Sequence, residues 1–333
     1  MKAVELIAFG RPEESVRCAE VADPGPPGPG EVVVDIEAFP INPADLLTVE
    51  GRYAVRPDLP ARLGAEGVGR ISAFGEGVSG LDVGQRVINL ARENWTERRR
   101  VGADEVVPVP GDVDLLQLAM LKVNPPTAYY MLTRFVDLAP GDWVVQNAGN
   151  SAVGQHVIRL ARAHGWRTVN VVRRESLIAP LQAIGADVVL VDGEDLGERL
   201  LAATGGTPAR LAIDAVGGDA MIRLADGLAD GGTIVNYGLL SGDCCKLTSH
   251  QVVFRGITLK GFWLMPHLQA ASAQEKADLF AELAGLIASG DLQAEVEAHY
   301  PIERIREAVA HAGREGRDGK ILVTTKYAVN GPD

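Results

Sequence analysis

The sequence predicts an α/β protein in which a doubly wound parallel sheet accompanies a second domain rich in β-strands. Short strand patterns divided by glycine and proline turns come first along the chain, and alternating strands and helices follow. The 333 residues are enough for two separate cores. The 38 glycines, many of them at the ends of apolar runs, fit a fold with many tight turns.

The β-rich pattern covers residues 1–110. Strand candidates run over 32–38, 68–74 and 84–88, and a Pro/Gly-rich stretch at 24–30 precedes the first of them. Short strands separated by turns at this spacing predict an antiparallel barrel or another β-rich domain.

Strand patterns alternate with helical patterns from about residue 112. A strand at 143–147 leads through a glycine-containing turn into a helix at 152–164, and a second strand follows at 168–172. The pattern continues with a helix at 177–184 and strands at 188–191, 211–214, 232–237 and 257–263, then a helix at 276–288 and a strand at 320–325. Such alternation produces parallel βαβ units, and hence the doubly wound sheet.

The charge balance argues against a nucleic-acid partner, and the length of the apolar stretches argues against a membrane span. The formal net charge is −12, and acidic residues surround the one basic cluster, at 98–100. Nucleic-acid binding depends mainly on clustered Lys and Arg, so this cluster is interpreted as a solvated surface. No apolar stretch reaches the roughly 18 residues that a membrane span requires.

Cysteine usage indicates a reducing compartment. The three cysteines, Cys18, Cys244 and Cys245, offer neither a disulfide framework nor a CxxC metal spacing. The first residues enter a strand pattern directly, without the apolar region of a signal peptide. We therefore expect a cytoplasmic location.

The segment 147–155, Asn-Ala-Gly-Asn-Ser-Ala-Val-Gly-Gln, predicts a dinucleotide site. It follows a strand and opens a helix, where free backbone N–H groups can bind a pyrophosphate. Gly149 is expected to make the tight turn, and Gly154 to let the helix pack close to the strand. The small Ser151 and Ala152 leave room for the phosphates. The glycine spacing differs from GxGxxG, so the prediction depends on the strand and helix around it.

The end of the second βα strand favours NADPH over NADH. An NAD site usually places Asp or Glu there to bind the ribose hydroxyls. In this chain Arg173 and Arg174 come first, and a guanidinium suits a 2′-phosphate. Two alternatives stay open: one arginine is a solvated loop residue, or Glu175 reaches a ribose.

The sequence predicts no metal site. A catalytic zinc needs three protein ligands, and a structural zinc usually takes four thiolates. The three cysteines are too few for the latter, and the six histidines are scattered, none lying in the first 150 residues.

The chain resembles the medium-chain dehydrogenase/reductase superfamily over essentially its whole length. Three segments carry the resemblance: Ile41–Asp45, Leu63–Gly69 and the cofactor loop at 147–155, in the order that the superfamily uses. Zinc-dependent members carry a Gly-His-Glu triplet, in which Ala65 of this chain replaces the histidine. The resemblance implies a Rossmann domain and a GroES-like catalytic domain. The implied boundaries are catalytic residues 1–118, Rossmann residues 119–268 and a second catalytic part, 269–333.

Within the superfamily, the chain is most similar to 2-enoyl thioester reductases of the mitochondrial fatty-acid-synthesis type. The similar segments are 42–45, 51–53, 124–129, 147–155 and 261–264. Two positions depart from the family pattern: Ala54 stands where Pro usually follows the tyrosine, and Asn150 where Thr is common.

The resemblance implies that NADPH supplies hydride to Cβ of a 2-enoyl thioester, while the chain manages the enolate oxygen and the proton for Cα. Tyr53 would donate the proton or hold the carbonyl, since a phenol stays protonated at neutral pH. Asn42 would orient Tyr53 or the substrate, and Trp263 would lie beside the nicotinamide. Each has a structural alternative, namely packing for Tyr53, a turn cap for Asn42 and core for Trp263.

The resemblance also assigns the cofactor contacts. They are Asn124, Thr127, Gly149, Asn150, Ser151, Ala152, Val153, Gly154, Arg173, Arg174, Tyr237, Gly238, Phe262, Trp263 and Lys320. Tyr237 would equally serve as a core residue, and Lys320 as a solvated charge.

Two other functions fit the same fold. An NADPH:quinone oxidoreductase would need only access of a flat acceptor to the nicotinamide, and a sensor would bind NADPH without turnover. The acyl-chain length, and whether CoA or acyl carrier protein bears the acyl group, stay open. The last parallel strand, near Thr258, is an edge candidate, and edges are often covered by a second subunit, so we expect a homodimer.

Overall fold

The computed structural model describes residues 1–328, which fold into two compact units. The first unit combines Met1–Val123 with the chain from Ala271 onward, and the second is Asn124–Ala270. The boundaries expected from the sequence, 118/119 and 268/269, lie a few residues earlier than these.

The helices and strands succeed one another along the chain as follows. The first part contains β1 Lys2–Leu6, α1 Pro12–Ser15, β2 Val16–Glu20, β3 Glu31–Pro40, α2 Pro43–Val49, β4 Ala61–Arg62, β5 Val68–Phe74, β6 Arg86–Asn89, β7 Arg98–Gly102, β8 Val106–Pro108 and α3 Leu115–Ala119. The second unit contains α4 Asn124–Thr133, β9 Trp143–Gln146, α5 Ala152–Ala163, β10 Arg167–Val172, α6 Ile178–Ala183, β11 Val188–Val191, α7 Leu196–Ala203, β12 Ala209–Asp214, α8 Gly218–Asp226, β13 Leu228–Asn236, β14 Thr258–Gly261 and α9 Leu264–Ala270. The chain then adds α10 Ala273–Ala288, β15 Val296–Pro301, α11 Ile305–Ala312 and β16 Lys320–Thr324 to the first unit.

The first unit is built on a mainly antiparallel sheet in the order β15-β16-β3-β5-β6-β8, with β7 also paired to β3. The long β3 pairs with β16, so that Leu322 lies opposite Pro40, and this register ties the last strand to the N-terminal part of the unit. A smaller sheet has the order β2-β1-β4. The core between them includes Val4, Leu6, Val34, Ile36, Phe39, Trp95, Ile305, Ile321 and Val323.

The second unit is a six-stranded parallel sheet in the order β11-β10-β9-β12-β13-β14. All four residues of β9 are buried, as expected for a central parallel strand covered on both faces. Alternate residues face opposite layers: Val171 packs with α7 and α8, whereas Val172 packs with α5 and α6. The strand order reverses between β9 and β12, where doubly wound folds bind ligands at the carboxyl ends of the strands.

The predicted fold class, a doubly wound parallel sheet with a separate β-rich domain, is confirmed. Among the described residues, no helix combines the length and the apolar character needed to cross a membrane.

Candidate active site

Asn42 is placed by the junction of β3 and α2 in the first unit. Pro43 occupies the first turn of α2, where a missing N–H costs nothing, and Asn42 precedes it with extended backbone angles. The Asn42 main-chain N donates to Asp45 Oδ2 at 2.9 Å, which satisfies the buried start of the helix. The cap therefore uses the Asn42 backbone, and its side chain makes other contacts.

Two charged groups hold the Asn42 amide. Its Nδ2 donates to Glu66 Oε1 at 2.7 Å, and Lys320 Nζ donates to its Oδ1. Lys320 Nζ also donates to the Ile41 carbonyl oxygen at 3.3 Å, and Glu66 Oε2 accepts the main-chain N–H of Val123 at 2.8 Å. All these side chains are buried. The structure thus brings together Asn42, expected to be catalytic, and Lys320, expected to contact the cofactor.

Four charged side chains are buried around this amide: Asp45, Glu66, Lys122 and Lys320. Burial raises the pKa of Glu66 to about 7 and lowers the pKa values of Lys122 and Lys320 to about 8. Burial also raises the pKa of Asp45, which accepts N–H bonds from Asn42 and Ala65. The two carboxyl groups and the two amines have formal charges that sum to zero, so opposite charges lie close together away from water.

Tyr53 lies in the loop after α2 and is half-buried. Its main-chain N donates to the Leu47 carbonyl at 3.1 Å, so the end of the helix positions the start of this loop. Gly51 has φ of +73°, and a Cβ there would lie 3.2 Å from the Phe9 ring. The positive φ favours glycine at this point, and an added Cβ would also press against the Phe9 ring.

The cofactor loop in the second unit has the predicted strand–turn–helix form. Ser151 precedes α5, and its hydroxyl accepts the Gly154 N–H at 3.1 Å. A Cβ on Gly154 would lie 2.6 Å from the Gly149 carbonyl oxygen, so no side chain fits there. The left-handed residue of the turn is Ala148, with φ of +49°, rather than Gly149. Gly149 instead packs against Asn170, because a Cβ added to Gly149 would lie 3.1 Å from the Asn170 Cβ.

A polar network joins the carboxyl ends of β9, β12 and β13. Asp214 accepts the Nδ2 groups of Asn147 and, at 2.6 Å, of Asn236. It also accepts the Gly217 main-chain N–H at 3.0 Å, and Asn147 Oδ1 accepts that of Ala215 at 2.8 Å. This network fixes the strand ends where a dinucleotide would lie, and sequence reasoning missed it. The only signal was a buried apolar strand ending in Asp214.

Tyr237 and Gly238 follow β13 at the same edge. Burial raises the pKa of the Tyr237 phenol to about 12, against the effect of its hydrogen bond with Ser151. A Cβ on Gly238 would lie 2.5 Å from the Ala215 carbonyl oxygen, so this position also excludes a side chain. Tyr237 therefore connects the last βα turns to the cofactor loop.

An open pocket of about 330 Å³ lies beside these residues, lined by Asn236, Tyr237, Gly238, Leu239, Gly261, Phe262 and Trp263. Phe262 is buried and stacks on His267, with ring centroids 4.8 Å apart. Trp263 is 43% exposed, so it is not the core residue of the structural alternative. The pocket thus gathers four of the positions that the resemblance assigned to the cofactor.

Of the other assigned positions, Ser151 in the cofactor loop bonds to Tyr237 of this pocket, whereas Lys320 lies in the first unit. Arg173 and Arg174 are exposed after β10. Asn124 and Thr127 are buried in the first turns of α4. Within residues 1–328, no group of three or more His, Cys, Asp or Glu side chains is arranged to hold a metal ion.

Two family models match the sequence in the order of the two folds. The model "Alcohol dehydrogenase GroES-like domain" matches residues 28–112, and "Zinc-binding dehydrogenase" matches residues 152–282. The mitochondrial enoyl-[acyl-carrier-protein] reductase of Caenorhabditis elegans is 37% identical over 292 residues, 86% of this chain and 84% of that protein. The human protein of the same name is 37% identical over 301 residues, 88% of this chain and 81% of that protein. The chain belongs to the enoyl reductase branch of the medium-chain dehydrogenases/reductases.

Solved structures similar to this enoyl reductase branch member cover 97% of its chain. A putative NADPH:quinone reductase from Bacillus thuringiensis has a TM-score of 0.90 at 30% identity, over 98% of its own chain. A complex of Etr1p with NADP and crotonyl-CoA has a TM-score of 0.86 at 26% identity, over 99% of its chain. The quinone oxidoreductase of Escherichia coli with NADPH has a TM-score of 0.88 at 26% identity, over 100% of its chain.

The expectation of a cytoplasmic location is wrong. The curated enoyl reductases that this chain matches in animals and in Arabidopsis thaliana are mitochondrial proteins. Free cysteines indicate a reducing compartment but do not distinguish one such compartment from another.

Proposed function

We propose that this enoyl reductase branch member reduces the C2=C3 double bond of 2-enoyl thioesters with NADPH. The hydride goes to Cβ, and Tyr53 delivers the proton to Cα. The observation that carries the proposal is the 37% identity to curated enoyl-[acyl-carrier-protein] reductases over more than four fifths of both chains. The Etr1p complex with NADP and crotonyl-CoA supports the same substrate class.

The second unit has the features that a dinucleotide requires. α5 is 12 residues long and presents its N-terminal N–H groups just after the glycine-containing turn. At Gly154 and Gly238 a Cβ would meet the backbone of a neighbouring turn, so only glycine allows the close packing of the chain at these two positions. NADPH, when bound, supplies the hydride. The exposed Arg173 and Arg174 suit its 2′-phosphate, because a guanidinium group is positively charged and can donate two parallel N–H bonds to a phosphate.

The NADPH preference is tested with the double variant Arg173→Ala/Arg174→Ala. Loss of a 2′-phosphate contact should raise KM for NADPH by about tenfold or more and leave KM for NADH nearly unchanged. Steady-state kinetics with both cofactors measures this. Equal KM values for NADPH and NADH in the wild-type protein would contradict the assignment.

Tyr53 and Asn42 supply the groups that the reaction needs from the chain. As negative charge develops on the thioester oxygen, a hydrogen-bond donor stabilises it, and a protonated phenol can then give its proton to Cα. The half-buried position of Tyr53 leaves part of its side chain accessible. Asn42, held by Glu66 and Lys320, provides a fixed amide at the start of α2, the helix that Tyr53 follows.

Turnover of thioesters against quinones tests the proposal. We expect kcat/KM for crotonyl-CoA or a longer 2-enoyl-CoA to exceed that for small quinones by orders of magnitude. The second candidate, an NADPH:quinone oxidoreductase, is favoured by the similarity to the Bacillus thuringiensis and Escherichia coli structures. A large preference for quinones would establish it instead, and NADPH binding without oxidation would indicate a sensor.

A homodimer is part of the proposal. β14 is an edge strand of the parallel sheet, and unpaired strand edges are commonly covered by a second subunit. Just before it, in the short π-helical turn His250–Phe254, Val253 and Phe254 are 68% and 77% exposed. Exposed apolar side chains beside an open strand edge fit a self-complementary interface. The solved Etr1p/Etr2p heterodimer from Candida tropicalis, a structural relative, also associates as a pair.

A further inference from the structure

The Asn42 amide is held at both ends by opposite charges. Its Nδ2 donates to the Glu66 carboxylate at 2.7 Å, and its Oδ1 accepts from the Lys320 ammonium. Both oxygens of Glu66 accept N–H groups, from Asn42 Nδ2 and from the Val123 main chain, and the Lys320 ammonium group only donates. If the amide rotated by half a turn, its oxygen would face the carboxylate and its NH₂ the ammonium. One orientation is therefore strongly favoured.

Burying these two charges costs desolvation free energy that apolar side chains in the same place would not. Glu66 is completely buried and Lys320 is 8% exposed, so both lose nearly all contact with water. Buried charges of opposite sign are often no more stabilising than apolar residues of the same volume. Glu66 and Lys320 each contact a different end of the Asn42 amide, so together they favour one orientation of that neutral group.

We propose that Glu66 and Lys320 are positioning residues, which fix the Asn42 amide so that it can orient Tyr53 or the substrate. This inference rests on the proposed function. It gives Lys320 a role inside the catalytic unit, since Lys320 Nζ donates to Asn42 Oδ1 and the Ile41 carbonyl. The lysine that the resemblance assigned to the cofactor then acts on catalysis through Asn42.

The other charged groups near this chain of contacts are Asp45 on α2, Lys122, Arg92 and Arg317. Lys122 is close enough to Glu66 for their charges to interact, but its hydrogen bonds go elsewhere. It is equally buried, its pKa is also lowered to about 8 by burial, and its Nζ donates to the carbonyl oxygens of Ala65 and Ala91. It supports the backbone rather than the amide.

The first test is a double-mutant cycle on Asn42→Ala and Lys320→Met with crotonyl-CoA and NADPH. Lys320→Met should lower kcat by about 10- to 100-fold with a small change in KM, because the amide becomes misplaced. In the Asn42→Ala background it should lower kcat no further. Independent, multiplicative losses would overturn the proposal. Arg86→Met, which removes a charge that is just as buried in the first unit but pairs with Glu37, should lower Tm but not kcat.

The pH profile separates positioning from a general loss of stability. The Lys320 ammonium loses its proton as pH rises through its pKa of about 8, so wild-type kcat should fall on that alkaline side. Asn42→Ala and Lys320→Met should both lack this decline. An unchanged alkaline decline in Lys320→Met would contradict the proposal.

A readout without substrate makes the inference independent of the reaction. In protein labelled with ¹⁵N-asparagine, the Asn42 side-chain amide should exchange slowly in the wild type and faster in Lys320→Met. If exchange at Asn42 is the same in both, the positioning role is wrong. If exchange changes while the wild type reduces no enoyl thioester, the positioning role stands and the proposed function fails.

Discussion

At the scale of single residues, contact distances distinguish positions that require glycine from positions that tolerate a side chain. Gly154 has no room for a Cβ because the Gly149 carbonyl would lie 2.6 Å away. Gly285, in α10, has no atom within 4 Å of its virtual Cβ and is exposed. The same substitution should therefore have opposite effects at these two glycines.

Gly154→Ala should weaken NADPH binding by about tenfold or more, because overpacking pushes the turn away from α5. Cofactor fluorescence titration measures this. Gly285→Ala should leave the NADPH affinity unchanged and raise helix stability by about 1 kcal/mol. Equal NADPH affinity of Gly154→Ala and the wild type would show that the turn does not contact the cofactor.

Tyr53→Phe should lower kcat by about 10²- to 10⁴-fold, since it removes the proposed proton donor while keeping the ring. Tyr300→Phe is a matched control in the same unit. Its hydroxyl bonds to His311 Nδ1 at 2.9 Å, so the control should cost about 1 kcal/mol of stability and leave kcat intact. Near-normal turnover in Tyr53→Phe would remove Tyr53 from proton delivery.

At the scale of elements, the start of α5 is both a capped helix terminus and the proposed cofactor site. Ser151 accepts the Gly154 N–H at 3.1 Å, and Ser272 accepts the Glu275 N–H at 3.2 Å at the start of α10. The cap chemistry is the same at both helices. Of these two helices, only α5 follows the glycine-containing turn. Comparing substitutions of the two serines therefore distinguishes an effect on helix stability from an effect on cofactor binding.

Ser151→Ala and Ser272→Ala should each destabilise the protein by about 1 kcal/mol in urea unfolding. Only Ser151→Ala should also raise Kd for NADPH, because the N–H groups at the start of α5 lose their orientation. An equal effect of the two variants on NADPH affinity would place the cofactor away from α5.

At the scale of the whole molecule, the proposed homodimer associates through the β14 edge. Phe254→Glu places a charge at a residue that is 77% exposed in the single chain. We expect it to convert a dimer into monomers in light scattering coupled to gel filtration, because the charge would be buried in the interface. Phe74→Glu, at an exposed phenylalanine of the first unit, should leave the dimer intact. A wild-type monomer would contradict the proposal directly.

The sequence by itself determined the fold class, the strand–turn–helix form of the segment at 147–155 and the family. Each depends on local order along the chain: strand and helix periodicity, a glycine spacing between β9 and α5, and motifs of a few consecutive residues. The corresponding elements therefore lie where the pattern placed them. The compartment was misjudged because cysteine content reports only redox conditions.

Only the tertiary structure decided which distant residues share a site. Lys320 reaches Asn42 because β16 pairs with β3, a contact 278 residues apart in sequence. Asp214 meets Asn147 and Asn236 because three parallel strands end at one edge. Periodicity predicts which face of an element is apolar, but not which polar groups from other elements will lie against it. The charges around Asn42 become visible only when strand register brings them together.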